Sequence, residues 1–162
     1  MIAQHGIAVE DRLRIDELYA QYAACIDDGR FEEWPDFFTE TCTYQVIPRE
    51  NFDRGLPLAT LSFESRGMLR DRVFGISKTL FHEPYYQRHI ISGLLVSAHD
   101  DGGFAVRANY LVIRTKAGSL SEVYNAGRYI DRIVEDNGRL VFSEKRCVFD
   151  SELIPNSMIY PI

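Results

Sequence analysis

The hydrophobic pattern changes period partway along the chain, and that change separates a helical region from a strand-forming one. From about Glu10, the residues Ile15, Leu18, Tyr19, Tyr22, Ala23 and Ile26 recur at i, i+3, i+4, i+7, i+8 and i+11. That spacing lays one apolar stripe along a helix. Asp16, Glu17 and Gln21 fall on its other side. Asp28-Gly29 predicts the helix end, because glycine supplies the left-handed residue that a C-terminus often needs. Residues 1–9 read as a loose arm. Residues 30–38 (RFEEWPDFF) read as a short aromatic-rich helical segment, with Pro35 tolerated in a first turn. Residues 41–47 (TCTYQVI) are β-branched and aromatic and predict a strand. Residues 48–57 predict a loop and residues 58–63 a short edge strand. A second helix follows Ser65, with Leu69, Val73, Ile76 and Leu80 on its apolar face and Gly67 and Gly75 weakening it.

Beyond Pro84 the helical period gives way to long strand-forming runs. Strands are predicted over residues 88–98, 104–115, 120–134 and 139–150, joined by HDDGG, KAGS and EDNG. These links have hairpin-turn composition. Consecutive strands with short turns make an antiparallel meander. The predicted fold class is therefore α+β: a curved antiparallel sheet packed on N-terminal helices, in one domain spanning residues 1–162. Gly127, inside the third long strand, is the predicted bend or bulge.

Composition narrows the partners. The net charge of −6 argues against nucleic acid, whose phosphates require clustered Lys and Arg. No stretch approaches the roughly 18 apolar residues of a membrane span. The first residues lack a basic segment followed by an apolar run, so no signal peptide is expected and the cytoplasm is the expected location. Cys25, Cys42 and Cys147 are scattered, with no CxxC, and predict reduced thiols rather than a disulfide framework or a zinc site.

Candidate chemistry is sparse. His5, His82, His89 and His99 match no metal-ligand spacing, and no Cys–His pairs suit an iron–sulfur cluster. There is no GxSxG and no phosphate-cradling glycine loop. Acid–base chemistry is the stronger alternative, with Asp27, Tyr44, His89, Asp131 and Glu144 as available groups. Asp131 shares a strand face with Gly127, Tyr129 and Ile133 by period two. It is either functional or paired with one of the cations Arg128, Arg132, Lys145 and Arg146 in the predicted hairpin. Trp34, Phe37 and Phe38 are expected in the core. The terminal SMIYPI is expected to dock on the sheet or on a neighbouring subunit.

Several runs taken together resemble a known family. They are residues 27–34 (DDGRFEEW) with Phe37-Phe38-Thr39 and Tyr44, residues 68–73 (MLRDRV), residues 88–93 (RHIISG), residues 127–132 (GRYIDR), residues 144–150 (EKRCVFD) and the closing Tyr160-Pro161-Ile162. In order and spacing they resemble the small (β) subunits of aromatic-ring-hydroxylating oxygenases, over nearly the whole chain from about Asp16. The resemblance implies a cone-like fold of the nuclear-transport-factor-2 type. It implies a small subunit that trimerises and docks on three large subunits, as an α3β3 hexamer. It also implies that the Rieske 2Fe-2S cluster and the mononuclear iron sit in the large subunit, with NAD(P)H serving through a reductase. No cofactor, metal-binding or catalytic residue is then expected in this chain. The look is nearest to subunits acting on benzoate-type acids, with salicylate as first expectation and terephthalate or anthranilate beside it. Two rival readings remain open. One is a stand-alone cone-fold enzyme, dehydratase-like or ketosteroid-isomerase-like, with Asp131 or His89 as general base. The other is a small-molecule binding module.

Overall fold

The computed structural model describes residues 6–153 and 157–162. The first five residues of the expected arm lie outside the described residues. Helix α1 runs Val9–Asp27, with Glu10 and Asp11 in its first turn where the helix dipole favours negative charge. Its buried residues are Ile15, Leu18, Tyr19, Tyr22, Cys25 and Ile26: the predicted stripe, except that Cys25 is buried and Ala23 is only half-buried. Gly29 adopts φ 72°. It closes the helix as the left-handed residue of a Schellman motif, in which the Arg30 N–H donates to Cys25 and the Gly29 N–H to Ile26. A 3₁₀ segment, Phe31–Phe37, follows and buries Trp34.

Strand β1 (Phe38–Pro48) leads into a short helix α2 (Arg49–Asp53), which occupies the first half of the expected loop. Strand β2 is Leu61–Ser65, a few residues later than predicted. Ser65 then caps helix α3 (Arg66–Phe74), its hydroxyl accepting from the Met68 N–H. The apolar face extends through a π turn at Gly75–Thr79 that buries Ile76. The long strands are β3 (Tyr85–Ala98), β4 (Phe104–Lys116), β5 (Glu122–Asp136) and β6 (Arg139–Phe149).

All six strands form one sheet in the order β2-β1-β6-β5-β4-β3. The meander β3 to β6 is antiparallel as predicted. The β1–β6 pair is parallel, so the sheet is mixed. This pairing joins the two ends of the chain, and neighbour-to-neighbour reasoning along the sequence does not reach it. The core lies between the helices and the inner face of the sheet, with Tyr22, Trp34, Phe38, Tyr44, Tyr129 and Phe142 among its largest members. Trp34 and Phe38 are buried as expected and Phe37 packs against them.

The described end of the chain docks inward too. Tyr22 and Tyr44 hydroxyls donate to the Ile162 main-chain oxygen, and the Ile162 N–H donates back to Tyr44. The Arg72 guanidinium holds the Met158 and Ile159 carbonyls.

The bend assigned to Gly127 has a different basis. Pairing runs without a shift through Gly127, and β5 and β6 change register between Arg132 and Ile133. What Gly127 permits is close approach: a Cβ there would sit 2.0 Å from the Val148 carbonyl oxygen.

Candidate functional site

The structure divides the sequence candidates among separate places. Glu144 lies on the outer side of β6, where it meets Arg146 at 2.5 Å. Tyr44 is wholly buried and engaged by Ile162. The remaining candidates form two buried pairs, Asp131 with Lys145 and Asp27 with His89.

Asp131 and Lys145 owe their meeting to one displaced residue. The turn Asn137-Gly138 pairs Asp136 with Arg139 and Ile133 with Phe142. Carried on unchanged, that register would set Asp131 opposite Glu144, two carboxylates face to face. The shift between Arg132 and Ile133 leaves Ser143 unpaired and brings Lys145 opposite Asp131 instead. The Lys145 ammonium donates to Asp131 Oδ2 at 2.9 Å, and the Tyr19 hydroxyl donates to the same oxygen at 2.5 Å.

Neither side chain of the pair touches solvent. The ammonium lies 3.4 Å from the Tyr129 ring centroid, 4.4 Å from Phe142 and 4.6 Å from Tyr22. Four aromatic faces, Tyr19 included, thus replace the water that the ammonium gives up. Burial raises the Asp131 carboxyl above its ordinary range, and Lys145 opposes that shift. The other expected cations go elsewhere: Arg128 to Asp53, Arg132 to Asp101 and Arg146 to Glu144. The result is an ion pair buried in the core, with Asp131 Oδ1 left without a hydrogen-bond partner among the described residues and Asp131 at the floor of a groove of about 490 Å³. Tyr19 is the pair's unforeseen third member. An aromatic with a hydroxyl on the core stripe needs a buried partner, and that was the available signal.

Asp27 and His89 join the end of α1 to β3. The His89 backbone N–H donates to Asp27 Oδ2 at 2.9 Å, and Nδ1 to Oδ1 at 2.6 Å. A carboxylate only accepts, so Nδ1 carries the proton in this bond. The His89 side chain is 0% exposed and that of Asp27 4%. Among the described residues Nε2 has no hydrogen-bond partner. Gln87, two residues earlier on the same inward face, is buried with neither carboxamide atom partnered. At the other end of α1, Arg12 donates to the Leu94 carbonyl at 3.0 Å, so the helix is tied to β3 at both ends. Between the ties lies a groove of about 410 Å³ lined by Asp16, Tyr19, Ala20, Ala23, His89, Ile91 and Leu94.

Metal binding finds no cluster. Among the described residues no group of three or more His, Cys, Asp or Glu is placed to hold an ion. His82 meets Tyr160, His99 meets Asp101, and the three cysteines are buried as free thiols. These residues do not fit a Rieske cluster or a mononuclear iron. No helix among the described residues is long and apolar enough to cross a membrane.

Comparison with known proteins gives a consistent picture. A SnoaL-like domain matches residues 8–146. The anthranilate 1,2-dioxygenase small subunit of Burkholderia cepacia is 37% identical over 145 residues, 90% of each chain. A beta subunit of the terminal oxygenase component of terephthalate 1,2-dioxygenase from Comamonas is 29% identical, over 94% of this chain and 99% of that one. The crystal structure of a protein assigned as the beta subunit of an aromatic-ring-hydroxylating dioxygenase from Novosphingobium aromaticivorans superposes with a TM-score of 0.85. It is 34% identical, and the match covers 96% of this chain and 100% of that one.

Proposed function

This chain belongs to the SnoaL-like family and, within it, to the small subunits of aromatic-ring-hydroxylating dioxygenases, and from that premise we propose that it is an architectural subunit acting on no substrate itself. Its partner is the large oxygenase subunit. In this reading three copies of each make an α3β3 hexamer around a trimer of the small subunit. The Rieske 2Fe-2S cluster and the mononuclear iron belong to the large subunit, with electrons from NAD(P)H arriving through a reductase. The complex oxidises a substituted benzoate. The relatives' names favour anthranilate and terephthalate, and salicylate is the third acid to assay.

The observation that carries this reading is the outer face of β3 to β5. On β3, Gln87 and His89 turn inward, while Tyr86 and Ile90 turn outward and are 77% and 47% exposed. Leu95 and Val123 are also exposed, at 58% and 68%. The pairing sets Arg88, Ile113 and Val123 in one row across the strands and Ile90, Leu111 and Ala126 in the next. A sheet face of exposed apolar residues interspersed with arginines, here Arg88 and Arg107, is what a subunit interface covers.

Co-expression with the large subunit tests the proposal. The expected result is a stable hetero-hexamer by native mass spectrometry, with ring oxidation and iron only when the large subunit is present. The double variant Ile90→Asp, Val123→Asp should keep its circular dichroism spectrum and lose co-purification. Turnover of a small molecule by the isolated chain would overturn the reading and restore the rival enzyme with His89 or Asp131 as base.

A further inference from the structure

We infer that the outer sheet face binds an acidic surface of the large subunit, keyed by two carboxylates that meet Arg88 and Arg107 across an apolar strip. The inference rests on the assembly reading and deepens it by naming the chemistry of the partner.

The make-up of the face carries the argument. The outward rows of β3 to β6, from Arg88 to Glu144, hold Arg88, Arg107, Arg128, Arg132 and Arg146, no lysine, and a single carboxylate, Glu144. The whole chain has a net charge of −6, so this face is a cationic island on an anionic protein. Arginine without lysine suits an interface, because the guanidinium is less strongly hydrated than an ammonium and meets a carboxylate with two donors. Arg128 is neutralised within the chain by Asp53, Arg132 by Asp101 and Arg146 by Glu144. Arg88 and Arg107 are exposed and make no ion pair among the described residues. They are the two cations of the face left for a partner to neutralise.

Strand register fixes their separation. Arg88 pairs with Ile113, which lies on β4 with Arg107, and the strand rise from 107 to 113 spans about 20 Å. Between the two arginines lie Ile90 beside Leu111 and Ser92 beside Asn109. Leu95 and Ile130 flank Arg107 on its two sides. Leu95 reaches that row because a bulge at Gly93, with φ 64°, shifts the register between Ser92 and Leu95. Leu95, Arg107 and Ile130 also line the groove of about 490 Å³, a recess for a partner side chain. Its other cation, Arg12, is held by Asp16 and the Leu94 carbonyl. The Asp131 side chain at its floor is unexposed and taken by Lys145. Arg107 is therefore the cation available there.

Charge also selects the occupant. A second copy laid face to face on this one would set arginines against arginines. The surface that covers the face must bring carboxylates, and in the assembly reading the large subunit covers it.

Sedimentation equilibrium of the purified complex tests the inference. Raising NaCl from about 0.05 to about 0.5 M should weaken the wild-type complex roughly tenfold, because salt screens the two pairs. Arg88→Gln, Arg107→Gln should bind more weakly at low salt and respond less to added salt. Arg88→Glu, Arg107→Glu should keep its circular dichroism spectrum and fail to co-purify. Lys78→Glu, an exposed reversal on the π turn and off this face, should bind as wild type does. In Arg88→Lys and in Arg107→Lys, carbodiimide treatment should cross-link the introduced amine to an Asp or Glu of the large subunit, read by peptide mass spectrometry. If Arg88→Glu, Arg107→Glu co-purified normally while Ile90→Asp, Val123→Asp did not, the keying would be overturned and the assembly reading would stand. If both double variants co-purified normally, the face would not be the interface and both would fall. Arginine reversals that broke self-association of the isolated chain yet left large-subunit binding intact would assign the face to small-subunit contacts and overturn the inference.

Discussion

Two carboxylates buried among the described residues, Asp131 and Asp27, have similar burial and opposite surroundings. Asp131 sits on a central strand, β5, and its Oδ2 is matched by Lys145 and Tyr19 within a ring of aromatic faces. Asp27 ends a helix and meets His89 on β3, an edge strand, beside a groove. The first arrangement uses up its cation inside the core. The second orients an imidazole whose Nε2 has no hydrogen-bond partner among the described residues. Each pair thus keeps one unpartnered buried atom, Asp131 Oδ1 in the first and His89 Nε2 in the second. The distinction lies in the partner: an ammonium enclosed by aromatic faces on a central strand, or an imidazole on an edge strand tied to the end of a helix.

The largest expected effect breaks the central pair. In Lys145→Met, Asp131 remains buried without its cation. The variant should lose roughly 3–5 kcal/mol in urea unfolding, the usual cost of stranding one partner of a buried pair. The double variant Asp131→Leu, Lys145→Met removes both charges and should recover most of that loss. A single variant within about 1 kcal/mol of wild type, against the range expected for a stranded buried charge, would show that the pair is not buried as described.

The edge pair should respond more weakly. Asp27→Asn keeps the side-chain shape but replaces one accepting oxygen with a donor. One of the two His89 donors then loses its acceptor, and the expected loss is about 1–3 kcal/mol by urea unfolding. Co-purification with the large subunit should persist, because the outer sheet face is unchanged. If Asp27→Asn destabilised as much as Lys145→Met, the contrast between the two regions would collapse.

Much of the central region was legible in the sequence, and much of the edge region was not. Period two placed Tyr129, Asp131 and Ile133 on one inward face, and all three are buried. The Asn-Gly turn then brought Lys145 near Asp131, because hairpin register follows turn geometry. What the turn could not reveal was Ser143, the one extra residue that exchanges Glu144 for Lys145. The Asp27–His89 contact joins residues 62 apart through the packing of α1 on β3, and no local pattern encodes it. The parallel pairing of β1 with β6 is hidden for the same reason. Gln87 could have been found: it lies two residues before His89, on the face that period two assigns inward.

The smallest expected effect uses a thiol as a reporter inside the central region. Cys147 is adjacent on β6 to the row holding Lys145 and is wholly buried. Burial pushes its thiol from 9.0 up to about 12, with Lys145 pulling the other way. Above pH 9 the unfolded chain gives up this proton while the folded chain keeps it. The folded state then binds more protons, and its stability falls as pH rises toward 12. Below pH 9 the contribution is fully present. Between pH 9 and 10 the loss from this one thiol should be about 1 kcal/mol. It is read as the difference in pH dependence between wild type and Cys147→Val, which removes the thiol and leaves the other buried thiols and tyrosines common to both proteins. A sealed centre requires that difference. If the two proteins lost stability in parallel across this interval, water would reach Cys147, and the centre would not be sealed.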